Sequence, residues 1–131
     1  MLGRLAGAAA KAALLGEEVK VVHCDKIVIS GKPELIVEEY RERRRRKGYP
    51  PKSQSHSRLP HLMVRRAIRG MLPWKAARGK EAYRRILCYQ GLPEEFASFA
   101  GITLEKESVK KLPNLQFITI GDLCRQLRGG A

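Results

Sequence analysis

The chain has 131 residues, the size of one domain, and a 44% hydrophobic fraction that a disordered tail would not carry. Twenty-six Lys and Arg stand against 13 Asp and Glu, a formal charge of +13, which points to a polyanionic partner, nucleic acid before an anionic membrane surface. The three cysteines, an odd number without Cys-x-x-Cys spacing, exclude a disulfide framework and suit a reducing compartment, and no apolar run approaches the ~18 residues of a membrane span.

The first segment, "LGRLAGAAAKAALLG", has Leu2, Leu5, Ala6, Ala9, Ala12, Ala13 and the pair Leu14 and Leu15 on one helical stripe, with Gly16 as its C-cap. Arg4 and Lys11 interrupt it, so it reads as an ordinary helix rather than a signal peptide. Its small residues Gly3, Gly7 and Ala10 suit close packing on a sheet. Strands are expected over residues 19–23 and 26–30, the second closed by Gly31. A helix after Pro33 places Leu35, Ile36, Tyr40 and the Arg43 stem on one side, and its charge runs from acidic to basic, the polarity the helix dipole favours. "GYPPKSQSHSRLP" is a loop by composition. Residues 62–72 read as a helix with Val64, Ala67, Ile68 and Met71 inward and Arg65, Arg66 and Arg69 outward. Pro73 breaks it and Gly79 permits a second turn. A helix over 80–87 then puts Ala82, Tyr83, Ile86 and Leu87 inward and Lys80, Arg84 and Arg85 outward. Residues 87–89 are a weak strand candidate, and 92–112 read as loop with a short helical piece. A strand over 117–120 leads into a terminal helix capped by Asp122. This order is that of a layered α/β domain spanning residues 1–131.

The charge is concentrated. Residues 41–85 hold 16 Lys and Arg and two acids, Glu42 and Glu81, while the rest of the chain holds ten basic residues and eleven acidic ones. A face that merely keeps a protein soluble mixes its signs, so this third of the chain is the candidate RNA-binding region. Arginine forks match phosphate oxygens and their planes stack on exposed bases. Arg69 lies four residues from Arg65 and three from Arg66, so the three share one helix side, and Lys80 and Arg84 repeat the spacing. Trp74, Lys75 and Arg78 occupy the bend between the two helices, where Trp74 is either a base-stacking platform or a plug for the core. Arg41, Arg43, Arg44, Arg45, Arg46 and Lys47, with Lys52, His56 and Arg58 of the loop and Arg85 at the far end, join the set on charge alone.

No enzyme motif competes with this reading. "RGKE" lacks the spacing and the Ser or Thr of a Walker loop. His23 and Cys24, as neighbours on a strand, would point to opposite faces and share no metal, and His56 and His61 have no cysteine partner nearby. The adjacent pairs Glu38 with Glu39 and Glu94 with Glu95 do not converge.

"IRGMLPWKAARGKEAYRRILCYQG" over residues 68–91 resembles the signature of the large-subunit ribosomal protein thirteen family. "LGRLA", "VVHCDKIVISG" and "FITIGDLCRQL" resemble the same family in the same order, and "YPPKSQSHSRLP" with "PWK" is similar to its archaeal and eukaryotic branch. The resemblance implies a three-layer α/β/α fold with a small, mostly parallel central sheet and a basic helical extension. It also implies a non-catalytic protein of the large ribosomal subunit, bound to large-subunit rRNA early in assembly and next to other ribosomal proteins. No cofactor, metal, membrane, small-molecule substrate or homo-oligomer is expected, and the expected place is the ribosome in the cytoplasm. Arg69, Gly70, Met71, Leu72, Pro73 and Gly79 match the motif; the resemblance puts Arg69, Gly70 and Gly79 near RNA and has Met71 and Leu72 packing. Family members carry a strand ahead of the "LGRLA" block, so upstream residues forming a strand beside residues 19–23 are expected. An RNA-processing or RNA-modifying enzyme, a DNA-binding architectural protein and an RNA-binding regulator outside the ribosome are the alternatives.

Overall fold

The computed structural model describes residues 1–46, 56–99, 101, 110, 113 and 115–129. Among these residues it is an α/β arrangement of five helices and four short strands. Helix α1 (Leu2–Leu14) is alanine-rich, which favours helix and leaves a smooth face; Ala6, Ala9, Ala10 and Ala13 are buried. That face lies mainly against two later helices rather than on a sheet. At Gly7 a Cβ would come 3.8 Å from the Met71 sulfur. Leu14 and Leu15, expected on the stripe, are exposed because the buried face is set by the alanines and the chain leaves the helix at Gly16. Gly16 has φ +97°, and its N–H donates to the Ala13 carbonyl, the ending a C-cap glycine provides.

Strand β1 (Val19–Val21) is shorter than expected. His23 takes the left-handed conformation (φ 53°, ψ 43°) and a 3₁₀ turn, Cys24–Lys26, follows, so His23 and Cys24 are not strand neighbours. Strand β2 (Val28–Ser30) comes next, and then α2 (Pro33–Arg45), with proline at the start where its missing N–H costs nothing. Ile36 and Val37 are the buried pair of α2; Leu35, expected inward, is 66% exposed, a rotation of the face by about one residue. Helix α3 (Pro60–Arg69) buries Pro60, Met63, Val64 and Ile68, one stripe at helical spacing. It ends three residues before the expected limit, and the chain then tightens. Met71 N–H donates to Ile68, Leu72 N–H to Arg69 and Trp74 N–H to Leu72. In that turn Leu72 points into the core and Met71 points out at 47% exposure, so the expected inward place of Met71 belongs to Met63 and Leu72.

Helix α4 (Ala77–Arg84) stops where the β-branched Ile86 can join a sheet edge. Strand β3 (Ile86–Cys88) pairs in parallel with β1, Val19 opposite Ile86 and Val21 opposite Cys88. Ile86 is fully buried, whereas Leu87, expected inward on a helix, alternates outward on the strand. A 3₁₀ piece, Glu94–Phe96, is the short helical element expected in that stretch. Strand β4 (Phe117–Thr119) runs antiparallel to β2, Ile29 opposite Ile118. It passes directly into α5 (Ile120–Arg128). Thr119, not Asp122, caps this helix. Its hydroxyl accepts the Asp122 N–H at 3.2 Å and donates to the Asp122 carboxylate at 2.8 Å.

One buried cluster joins these elements through Ala6 and Ala13 of α1, Val64 and Ile68 of α3, Ala82 of α4, Ile86 of β3, and Ile120 and Leu123 of α5. Cys24 and Cys124 are inside it and Cys88 is half-buried. Burial pushes the Cys124 thiol up to about 11, and a hydrogen bond to Cys24 together with burial pushes the Cys88 thiol up as well.

Candidate nucleic-acid interface

The cationic region rests on α2, α3, the turn after α3, and α4. On α3 the buried stripe turns Arg65, Arg66 and Arg69 to the opposite side, but these arginines do not stand free in solvent; all three are half-buried. The Arg65 guanidinium lies 4.4 Å from the Tyr83 ring centroid and that of Arg69 lies 4.1 Å from Trp74. Trp74 and Tyr83 meet edge to face at 4.9 Å and 88°. The result is a row of two rings between two guanidinium groups, Arg65, Tyr83, Trp74, Arg69. Each cation–ring contact contributes about 0.5–2 kcal/mol according to its desolvation, and each holds a guanidinium plane in place. Trp74 is therefore a support for Arg69 and a brace between α3 and α4. Among the described residues no carboxylate pairs with Arg65 or Arg69, and the Arg65 Nε is enclosed without a hydrogen-bond partner.

Helix α2 is wired differently. Arg43 pairs with Glu39, Arg45 with Glu38 at 3.9 Å, and Arg46 with Glu42 at 2.6 Å. Arg43 also lies 5.2 Å from the Tyr40 ring centroid, and Arg44 donates to the His56 carbonyl. Much of the charge that looked unopposed in this run is thus met by the helix's own acids. Such exposed pairs are weak, roughly 0–1 kcal/mol, so a phosphate can replace the carboxylate.

Arg58, Lys75, Arg78, Lys80 and Arg84 are exposed, and Arg41 is half-exposed at the edge of the same region. Lys47 and Lys52 lie outside the described residues. Arg85 braces the fold instead. Its Nη1 donates at 3.1 Å to the Ala13 carbonyl, closing the C-terminal turn of α1. The two motif glycines also separate. Gly70 is exposed on the turn. Gly79 is buried, and a Cβ there would collide with the Pro73 carbonyl, so its lack of a side chain serves the close approach of α4 to the turn.

Between α2, α3 and α4 lies a cavity of about 370 Å³ whose walls include Tyr40, Arg43, His56, Arg65, Arg66 and Tyr83. Among the described residues no acidic one lines it. Burial lowers the His56 pKa, and the positive field of Arg66, Arg43 and Arg44 lowers it further. Tyr40 and Tyr83, expected only as core residues, are wall residues here. For Tyr40 the signal was its helical distance from Arg43; Tyr83, which meets Arg65 eighteen residues away, left none. Among the described residues no three His, Cys, Asp or Glu side chains come together to hold a metal ion, and no helix is long and apolar enough to cross a membrane.

Residues 1–95 match the model of the ribosomal protein L13 family. The chain is 39% identical over 129 residues to a protein of Methanopyrus kandleri named large ribosomal subunit protein uL13, across 97% of this chain and 80% of that one. A protein of the same name from Methanococcoides burtonii is 39% identical over 127 residues, 97% and 91% of the two chains. A third, from Methanocaldococcus jannaschii, is 35% identical over 133 residues, 97% and 90% of the two chains.

Proposed function

The chain belongs to the ribosomal protein L13 family, and from that premise we propose that it is a structural component of the large ribosomal subunit that holds large-subunit rRNA with its residues 41–85. The observation that carries this reading is the likeness along 97% of the chain to proteins named as large-subunit components. The cationic surface supports it, because rRNA is the polyanion such a subunit offers.

In this reading the 1–131 chain acts as one domain without catalysis, and its work is positional. Arg65 and Arg69, held on rings, present oriented forks to the RNA backbone. Arg66, Arg58, Lys75, Arg78, Lys80 and Arg84 extend the contact along the turn and α4. Arg41, Arg43, Arg44, Arg45 and Arg46 supply charge from α2 and its C-terminal end, with Arg43, Arg45 and Arg46 exchanging their helix carboxylates for phosphate. Neighbouring large-subunit proteins are its other partners, and the protein acts as a single copy in the cytoplasm.

Sedimentation of a cell extract tests the reading. The chain should travel with large subunits and stay with them through a high-salt wash, as a built-in component does. Recovery in the free-protein fraction, or on small subunits, would contradict it.

A further inference from the structure

The cavity between α2, α3 and α4 is more than a continuation of the basic surface. Two of its walls carry the same device. On α2, Arg43 lies over the Tyr40 ring at 5.2 Å; in the same lining, Arg65 of α3 lies over the Tyr83 ring at 4.4 Å. A guanidinium resting on a ring by one face can turn its edge N–H groups to an anion, for Arg43 by exchanging the exposed Glu39 carboxylate it now pairs with, and its other face to a planar group. Arg66 and Arg69 also line it, and among the described residues no Asp or Glu does. A carboxylate-bearing partner would use the forks alone; an RNA nucleotide uses forks and planes together. At about 370 Å³ the space is at the lower end of the ~300–1,000 Å³ of ligand pockets, room for one small unit and not for a helix backbone.

We propose that this cavity takes a single unstacked nucleotide of RNA, its phosphate on the arginine edges and its base against the Arg43–Tyr40 and Arg65–Tyr83 stacks. The inference rests on the RNA-binding reading above and adds a substrate class to it: a bulged or extruded residue rather than continuous duplex. An unstacked nucleotide has already lost its neighbours, so the cavity does not have to open a helix to receive it.

The test uses the full chain and two hairpin RNAs of one sequence, one an uninterrupted duplex and one with a single bulged nucleotide, the latter made with each of the four bases. The bulged hairpin should bind at least about fivefold more tightly, the lower range of base–aromatic stacking. Tyr40→Leu, which removes a ring, and Arg65→Lys, which keeps the charge but not the plane, should each bring the bulged hairpin down to the level of the duplex. Each variant is compared with its own affinity for the duplex, and circular dichroism melts close to that of the wild type show that both are folded. Equal binding of the two hairpins by the wild-type protein would overturn the inference and leave the RNA-binding reading standing, as would a preference that survives both substitutions. Binding to neither hairpin would overturn the RNA-binding reading itself.

Discussion

Gly79 shows how one residue in a binding motif can serve the fold. The motif places it among RNA-facing positions, yet it is buried and a Cβ there would overlap the Pro73 carbonyl. Gly70, in ordinary right-handed helical conformation at φ −62°, has only ordinary contacts for a Cβ, the nearest at 3.5 Å. Gly79→Ala should therefore destabilise the protein by about 3 kcal/mol, the upper range for overpacking, while Gly70→Ala should stay within about 0.5 kcal/mol of the wild type. Urea unfolding of both variants checks this, and equal midpoints would contradict it. His56 makes a second prediction. Its pKa is lowered in the folded protein, by burial first and then by Arg66, Arg43 and Arg44, so the unfolded chain binds the proton more readily. Its share of stability is then present above the unfolded value of ~6.5 and falls as pH drops through that range. Phosphate bound among the same arginines cancels their field and raises the His56 pKa, so RNA binding takes up a proton. Affinity should rise as pH falls below ~6.5, and His56→Ala should flatten that rise; titrations at several pH values read it directly. Neither the collision at Gly79 nor the field at His56 was legible in the sequence, because each depends on residues that only the packing of helices and turn brings close.

At the scale of elements, α3 was the most legible, since its apolar positions repeat at helical spacing and its arginines fill the other side. Its ends were not. The helix stops at Arg69 because the following turn hydrogen-bonds three residues back, and this turn swings Met71 outward while Leu72 keeps its expected place in the core. A pair of substitutions separates the two faces. Ile68 is fully buried, so Ile68→Ala should cost about 2–5 kcal/mol in thermal or chemical melts. Met71, 47% exposed, should accept aspartate at a cost of about 1 kcal/mol or less. Unfolding by Met71→Asp would place that side chain in the core after all. Strand β3 was a weak expectation because the sequence around Ile86 suits a helix end and a strand equally. The parallel partner β1 decides between them, and a partner 67 residues away in sequence, Val19 opposite Ile86, leaves no local signal. The cap of α5 moved from Asp122 to Thr119 for a similar reason: both residue types cap well, and only the backbone shows which one precedes the first helical turn.

Across the whole molecule, the division into a cationic third and a neutral remainder is plain in the order of residues, and so is the family, whose sequence blocks recur in register along the chain. The α/β class follows from the succession of periods. The wiring of the charge does not. Ion pairs within α2 and the arginine–aromatic row of α3, Trp74 and Tyr83 depend on side-chain directions, and Arg85 proves to be a brace for α1 although its residue type matches the RNA-facing set. The central claim is that this wired surface engages the phosphate backbone of rRNA. Its most direct test is the affinity of the full chain for a large-subunit rRNA fragment at a series of salt concentrations. With about six phosphates contacted, the logarithm of affinity should fall against the logarithm of salt with a slope of roughly −4 to −5; a slope near zero would contradict the claim.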